Sequence, residues 1–284
     1  MSSITCQVML VNRGPMTRHT AATPVGTLLR AWRERRRWSQ LELSNQAEVS
    51  TRHLSFVETG RAVPSREMVL RLAEHLDVPL RDRNGLLIAA GHAPGYPESD
   101  LDSARLEAVR AAVSRVLAAY EPYPAVLVDR AWNIVDGNTG VALLTRGTAP
   151  ELLAAPANAL RISLHPDGMA PRIVNLGQWR THLLDRLSRQ AANGGDAELR
   201  ALHAELDGYP APDRSDGGPD LGDLAVPLRL RHDGGVLSFI STVTTFGAPL
   251  DVTMDELAVE SFLPADDETA AALHAHRART ASAS

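Results

Sequence analysis

The chain has 284 residues, with 29 basic against 34 acidic side chains, 44% hydrophobic residues and one cysteine, Cys6. That is enough chain for one large domain or two ordinary ones, and a lone cysteine excludes a disulfide framework or a thiolate metal cluster within one chain. No apolar run approaches the roughly 18 residues of a membrane span, and the first residues lack a signal-peptide core, so the cytoplasm is the expected compartment and no membrane partner is expected.

The charge is unevenly spread. Residues 1–95 carry 13 Arg against 8 acidic residues, whereas residues 96–284 carry 16 against 26, and the sequence contains no Lys. A basic first third beside an acidic remainder suits a protein that holds a polyanion by one end only.

Taken in chain order, residues 1–23, with Gly14 and Pro15, read as a flexible arm. From 25 to 90 the pattern is helical. Val25, Leu28, Leu29 and Trp32 recur at helical spacing; Ser39 and Ser50 are N-cap residues for a second and a third helix, Gly60 closes the third, Ser65 starts a fourth and Pro79 opens a fifth. The segment GHAPGYPESD, 91–100, is the best linker. A longer helix follows, its stripe Leu106, Val109, Val113, Val116, Leu117 and Tyr120 suited either to a dimer seam or to packing on its own sheet.

Beyond Pro124 the texture changes. PAVLVDRAWNIVDGN reads as two short strands around an Asp129-Arg130 turn, Asn138 as the cap of a short helix through Leu144, and Asn175 as the start of another with Leu176, Trp179, Leu183, Leu184 and Leu187 on one side. A Gly/Pro/Asp-rich loop covers 207–223. Residues 225–246 read as two alternating strands joined at Asp233-Gly234, a third strand is expected near 257–263, and the last dozen residues read as a tail.

The stretch SQLELSNQAEVSTRHLSFVETGRAVPS, 39–65, carries the function. Leu43, Ala47, Val49, Leu54 and Val57 can hold two helices at a steep angle, leaving Thr51, Arg52, Ser55 and Phe56 on the outer side of the third helix to enter a DNA major groove. Gln40, Arg61, Arg66 and helix N-termini can grip phosphates beside them. The pattern Ser39-Gln40, Leu43, Ala47, Val49-Ser50, Leu54, Glu58-x-Gly60-Arg61, Pro64-Ser65 closely resembles the lambda-repressor-like (XRE or Cro-type) helix-turn-helix family. The resemblance implies a backbone contact for Gln40, base-facing positions for Thr51, Arg52 and Phe56, and a structural Glu58–Arg33 pair. One departure is Glu48 where the family has Gly in the turn, which asks a residue with a Cβ to be left-handed at a cost of about 1 kcal/mol.

Over about 25–270 the chain resembles the MmyB-like regulators, through RHLSFVETGRAVPSREMVLRLAEHLDVPLRDRNGLLIAAGHAPGY, YPAVLVDRAWNIVDGNTGVALL and LSFISTVTTFGAPLDVT. The resemblance implies a C-terminal PAS-like sensor domain, an antiparallel sheet with helices across one face, that holds an apolar, fatty-acid-like ligand. Trp179, Arg180, Leu183, Leu187, Phe239, Ile240 and Val243 are candidate walls, although each serves equally as core. The expected organisation is an arm, 1–23; a five-helix helix-turn-helix domain, 24–95; a linker, 96–104; an α+β sensor domain, 105–270; and a flexible tail, 271–284.

No catalytic constellation presents itself. His165-Pro166-Asp167-Gly168 spells a turn, the ten His show no paired ligand spacing and no Gly-rich phosphate loop occurs, so neither an enzyme nor a metal site is expected. The expected protein is a cytoplasmic, ligand-responsive regulator binding an operator in double-stranded DNA as a homodimer. The alternative is a constitutive DNA-binding regulator whose C-terminal domain dimerises or recruits a protein partner.

Overall fold

The structure, a computed structural model, describes residues 23–101, 103–194, 196–210 and 226–282. They fall into two compact units: 23–100 with 248–255, and 101–247 with 256–282. The arm up to residue 22, with Cys6, and the expected loop from 211 onward lie outside the described residues.

The N-terminal unit is built from α1 (Val25–Arg35), α2 (Gln40–Gln46), α3 (Thr51–Glu58), α4 (Arg66–His75) and α5 (Leu80–Ala89). The caps are where the sequence puts them. Ser39 and Glu42 form a reciprocal capping box, the Ser50 hydroxyl accepts from the His53 amide at 3.1 Å and Ser65 from Met68 at 3.3 Å, each satisfying an amide that the helix leaves unpaired. Leu29, Leu43, Leu54, Val57, Val69, Leu72 and Leu76 are sealed in one core. A Cβ on Gly26 would stand 2.1 Å from the Val57 carbonyl oxygen, so α1 and α3 touch backbone to backbone there. Glu48 takes the left-handed conformation that the turn demands, with φ +53°.

The expected linker 91–100 is instead tied into this unit. The Asn84 carboxamide accepts from the amides of Gly95 and Tyr96 and donates to the Tyr96 carbonyl, while His92 meets the Pro64 carbonyl oxygen at 3.0 Å. Gly and Pro there mark backbone turns, and turns can be pinned by polar side chains as firmly as helices. A segment remote in sequence also belongs to this unit. In Ala248–Asp255, which includes α12 (Val252–Asp255, numbered in chain order with the elements below), Asp255 accepts from the Leu80 amide at the start of α5 and Asp251 accepts from Ser99. The expected sensor domain, 105–270, is therefore interrupted by eight residues that pack elsewhere.

The C-terminal unit opens with a short 3-10 turn and α6 (Glu107–Ala119), then β1 (Ala125–Val128), β2 (Ile134–Gly137), the short helices α7 (Val141–Leu144), α8 (Pro150–Leu153) and α9 (Ala159–Leu164), α10 (Leu176–Gly194) and α11 (Ala197–Asp207). β3 (Leu228–His232), β4 (Gly235–Thr245), β5 (Ala258–Pro264) and α13 (Asp267–Ser282) complete it. The five strands form one antiparallel sheet in the order β2-β1-β5-β4-β3, with α9, α10 and α11 packed over one face in a single core: the PAS-like, α+β arrangement. The β3–β4 turn has Asp233 and Gly234 at φ +45° and +85°, the pair of positive angles that a two-residue hairpin turn requires.

Two expectations are corrected here, and one left open is narrowed. Asn138 does not cap α7: its carboxamide accepts from the Ala125 amide and donates to the carbonyls of Leu117 and Tyr123, fastening α6 to β1. The tail from 271 is helix. Asp266 receives the Thr269 amide at 2.7 Å, the Thr269 hydroxyl receives the Ser238 amide of β4, and Leu273 is buried, so Ala-rich composition marks helix propensity here and not disorder. Of the two readings of the 106–120 stripe, packing within its own unit is the one supported: α6 contacts β1, and Leu106, Val113 and Leu117 are buried, while Val116 stays exposed. The sequence reading also passes over α8, α9 and α11.

Candidate functional site

The helix-turn-helix stands on one buried ion pair. Arg33 of α1 and Glu58 at the end of α3 meet through two bonds, Nε–Oε1 at 2.7 Å and Nη2–Oε2 at 2.9 Å, with side chains 9% and 2% exposed. Arg33 also donates to the Trp38 carbonyl, and Gln40 donates to Glu58 Oε2 at 2.8 Å. The expected Glu58–Arg33 pair is thus present, and it fixes Gln40 as well. The hydroxyl of Thr51 is bonded to Ser44 across the turn at 2.8 Å, so its polar end is occupied between α2 and α3.

The outer side of α3 presents Arg52 and His53, both exposed, with Ser55 and Phe56 half-buried. The Arg52 guanidinium lies 5.4 Å from the Phe56 ring centre, one helical turn away, which holds a long cation flat along the helix. Arg61 is exposed just past the end of α3, and among the described residues its side chain has no partner. Arg66 differs: it donates to the Ala93 carbonyl at 2.8 Å and so braces the 91–96 segment. Of the seven expected DNA-contacting residues, Arg52 and Arg61 have side chains free for a polyanion, Ser55 and Phe56 flank Arg52, and Gln40, Thr51 and Arg66 are engaged within the unit. His53, which the sequence reading leaves out, shares the outward side with Arg52.

In the C-terminal unit the register decides which strand residues meet the helices. Val126 stands opposite Glu260, Ser241 opposite Phe262 and Leu228 opposite Phe239, and cross-strand partners share a face. Between that face and helices α7, α9 and α10 lies a cavity of about 40 Å³. Val126, Leu228 and Phe262 line it from the sheet, Leu144, Leu160 and Ile162 from the short helices, and Trp179 and Leu183 from α10. Its polar groups are few: Thr145, Ser163 and Glu260.

Of the expected wall residues, Trp179 and Leu183 line the cavity. Leu187 and Phe239 are fully buried in the surrounding core without reaching it. Ile240 follows Phe239 in the strand and so points to the other face, and Val243 shares the cavity face but is 43% exposed and does not line the cavity. Arg180 is drawn to Asp207 at the end of α11, at 2.9 Å. Treating Phe239 and Ile240 as one wall ignored the two-residue period of a strand.

The residue with most consequence for the cavity was missed. Glu260 is 3% exposed, in the middle of β5. Its Oε1 accepts from Arg186 Nη1 at 2.8 Å and from the Ser241 hydroxyl at 2.7 Å. Arg186 in turn lies 4.2 Å from the Trp132 ring centre, and Trp132 donates to Gln190, one turn further along α10. Trp179 donates its ring N–H to the Ser163 hydroxyl at 2.9 Å. Burial, reinforced by Arg186, pushes the neighbouring His182 imidazole below the usual histidine range, towards its neutral form. A signal for Glu260 did exist: a lone carboxylate in the apolar strand AVESFLP.

Comparison with known proteins gives two family matches. Residues 109–275 match the MmyB-like transcription regulator ligand binding domain, and residues 24–86 match a helix-turn-helix domain. No match is found among curated proteins. Among solved structures, one titled "Structure of an RNA-binding Light-Oxygen-Voltage Receptor" aligns at 15% identity and a TM-score of 0.23, over 90% of this chain and 62% of its own length. The chain thus spans about 62% of that structure. Among the described residues, no helix is long and apolar enough to cross a membrane.

Proposed function

The chain belongs to the MmyB-like transcription regulators, and from that premise we propose that it is a cytoplasmic, non-enzymatic regulator that binds a specific operator as a homodimer and responds to an apolar molecule in its C-terminal cavity. The observation that carries the DNA-binding half is the outer side of α3. Arg52 is exposed there, and Arg61 just past its end, on a helix whose inner side is sealed by Leu54 and Val57 and locked by Arg33–Glu58. A helix presented this way suits a major groove, with Arg52 at a base edge and Arg61 on phosphate.

The ligand half rests on the cavity, whose lining is nearly all apolar. At about 40 Å³ it holds little more than a water or two, while ligand sites run to several hundred Å³, so its walls must part for an acyl-sized molecule. The walls from α7 and α9 are helices of four and six residues, which have the least regular hydrogen bonding to lose on opening.

The test of the DNA-binding half is selection of an operator from random duplexes with the full chain, followed by titration of Arg52→Ala. The expected loss is roughly 1–3 kcal/mol with relaxed preference at one base pair. Unchanged affinity and preference would remove α3 from the groove.

A further inference from the structure

We infer that the cavity selects a neutral apolar molecule whose polar end carries a hydroxyl or N–H donor, received by Glu260, rather than a carboxylate. This rests on the cavity being the ligand site. The charge balance leads to it. Glu260, 4% exposed, and Arg186, 21% exposed, form an ion pair whose charges cancel. A carboxylate entering beside them would set two anions against one guanidinium in an apolar interior, where an uncompensated charge is costly. An ammonium would leave a surplus cation there instead.

Hydrogen-bond capacity points the same way. Both bonds received by Glu260 end on Oε1, and among the described residues Oε2 accepts none, although the side chain is 96% buried and lines the cavity. Ser163 accepts from Trp179, and its own hydrogen has no acceptor among the described residues. Thr145 donates to the Val141 carbonyl within α7 and its flanking turn. The cavity therefore offers one strong acceptor, Glu260 Oε2, and one donor, Ser163, within apolar walls. An alcohol carries both complements, a hydrogen suited to Glu260 and an oxygen able to accept from Ser163. A site built to receive a hydroxyl discriminates against an analogue that lacks it, because the buried acceptor is then left bare.

The test titrates the full chain calorimetrically with n-decanol, its methyl ether and decanoate. Decanol is expected to bind about tenfold or more tightly than either of the others. Glu260→Gln, checked for an intact melting transition, is expected to narrow the gap between decanol and ether and to raise decanoate relative to both. Equal binding of decanol and ether, or tighter binding of decanoate, would overturn the inference and leave the cavity standing as a ligand site. A gap that persists undiminished in folded Glu260→Gln would also overturn it. Binding of none of the three would remove the cavity reading together with the inference. Should Glu260→Gln fail to fold, the three ligands on the unaltered chain still decide.

Discussion

The two units of this protein place polar groups in opposite ways. In the N-terminal unit Arg52 is exposed on a short helix and Arg61 just beyond it, and the buried charge, Arg33–Glu58, joins α1 to α3. In the C-terminal unit Asn158, Ser163, Asn175, Glu260 and Thr269 are all buried, and Glu260 lines a cavity. A surface for reading DNA is convex and must be rigid, so its interior polar groups pair fully. A pocket is concave, and polar groups left partly unpaired inside it are what a ligand can recognise.

If the N-terminal unit depends on its buried pair as this contrast requires, Glu58→Ala strands the Arg33 charge and should cost about 3–5 kcal/mol in chemical denaturation. A loss under about 1 kcal/mol would mean that Arg33 relaxes to water, and would put the pair in the same class as an exposed bridge such as Arg30–Glu34.

The counterpart in the C-terminal unit is apolar. Leu187 is fully buried in the core beside the cavity without lining it, so Leu187→Ala should cost about 2–5 kcal/mol and leave the operator preference of Arg52 untouched. A smaller loss accompanied by stronger uptake of an apolar ligand would show that the cavity extends to Leu187.

The smallest effect is on pH dependence. Burial holds His182 and His232 below the usual histidine range, so the unfolded chain takes up protons there before the folded one. Their contribution to stability is complete above that range and is lost as pH falls through it, from about 6.5 downward. In the N-terminal unit, bonds from Arg30, from the Ser39 amide and from the backbone at Glu67 hold the Glu34, Glu42 and Glu67 carboxylates low, so their contribution persists until the carboxylate range is reached. Melting followed between about pH 7 and 5 should therefore lower the C-terminal transition first. Parallel loss in both units would erase the distinction.

The five helices, their serine caps, the left-handed Glu48 and the Glu58 partner could all be read from residues 25–90, because each signal acts within a turn or two of itself or repeats a dense family pattern. The engagement of Thr51 by Ser44 and of Arg66 by Ala93 could not, since a side chain's spare hydrogen bonds depend on what the fold brings near. In the C-terminal unit the Asp233-Gly234 hairpin was legible for the same local reason. The cavity wall was not: α10 supplies Trp179 and Leu183, but the strands facing them come from residues 126 and 262.

The sequence by itself determined a helix-turn-helix with an outward Arg52, the family of the chain, and a strand-rich second unit, since periodicity, capping and tight turns are short-range effects. Only the tertiary structure decided that residues 248–255 join the N-terminal unit, that the last helix is helix, and that Glu260 lies in a cavity beside Arg186. Those outcomes depend on strand register and on contacts between distant segments, and an apolar pocket and an apolar core are written with the same residues.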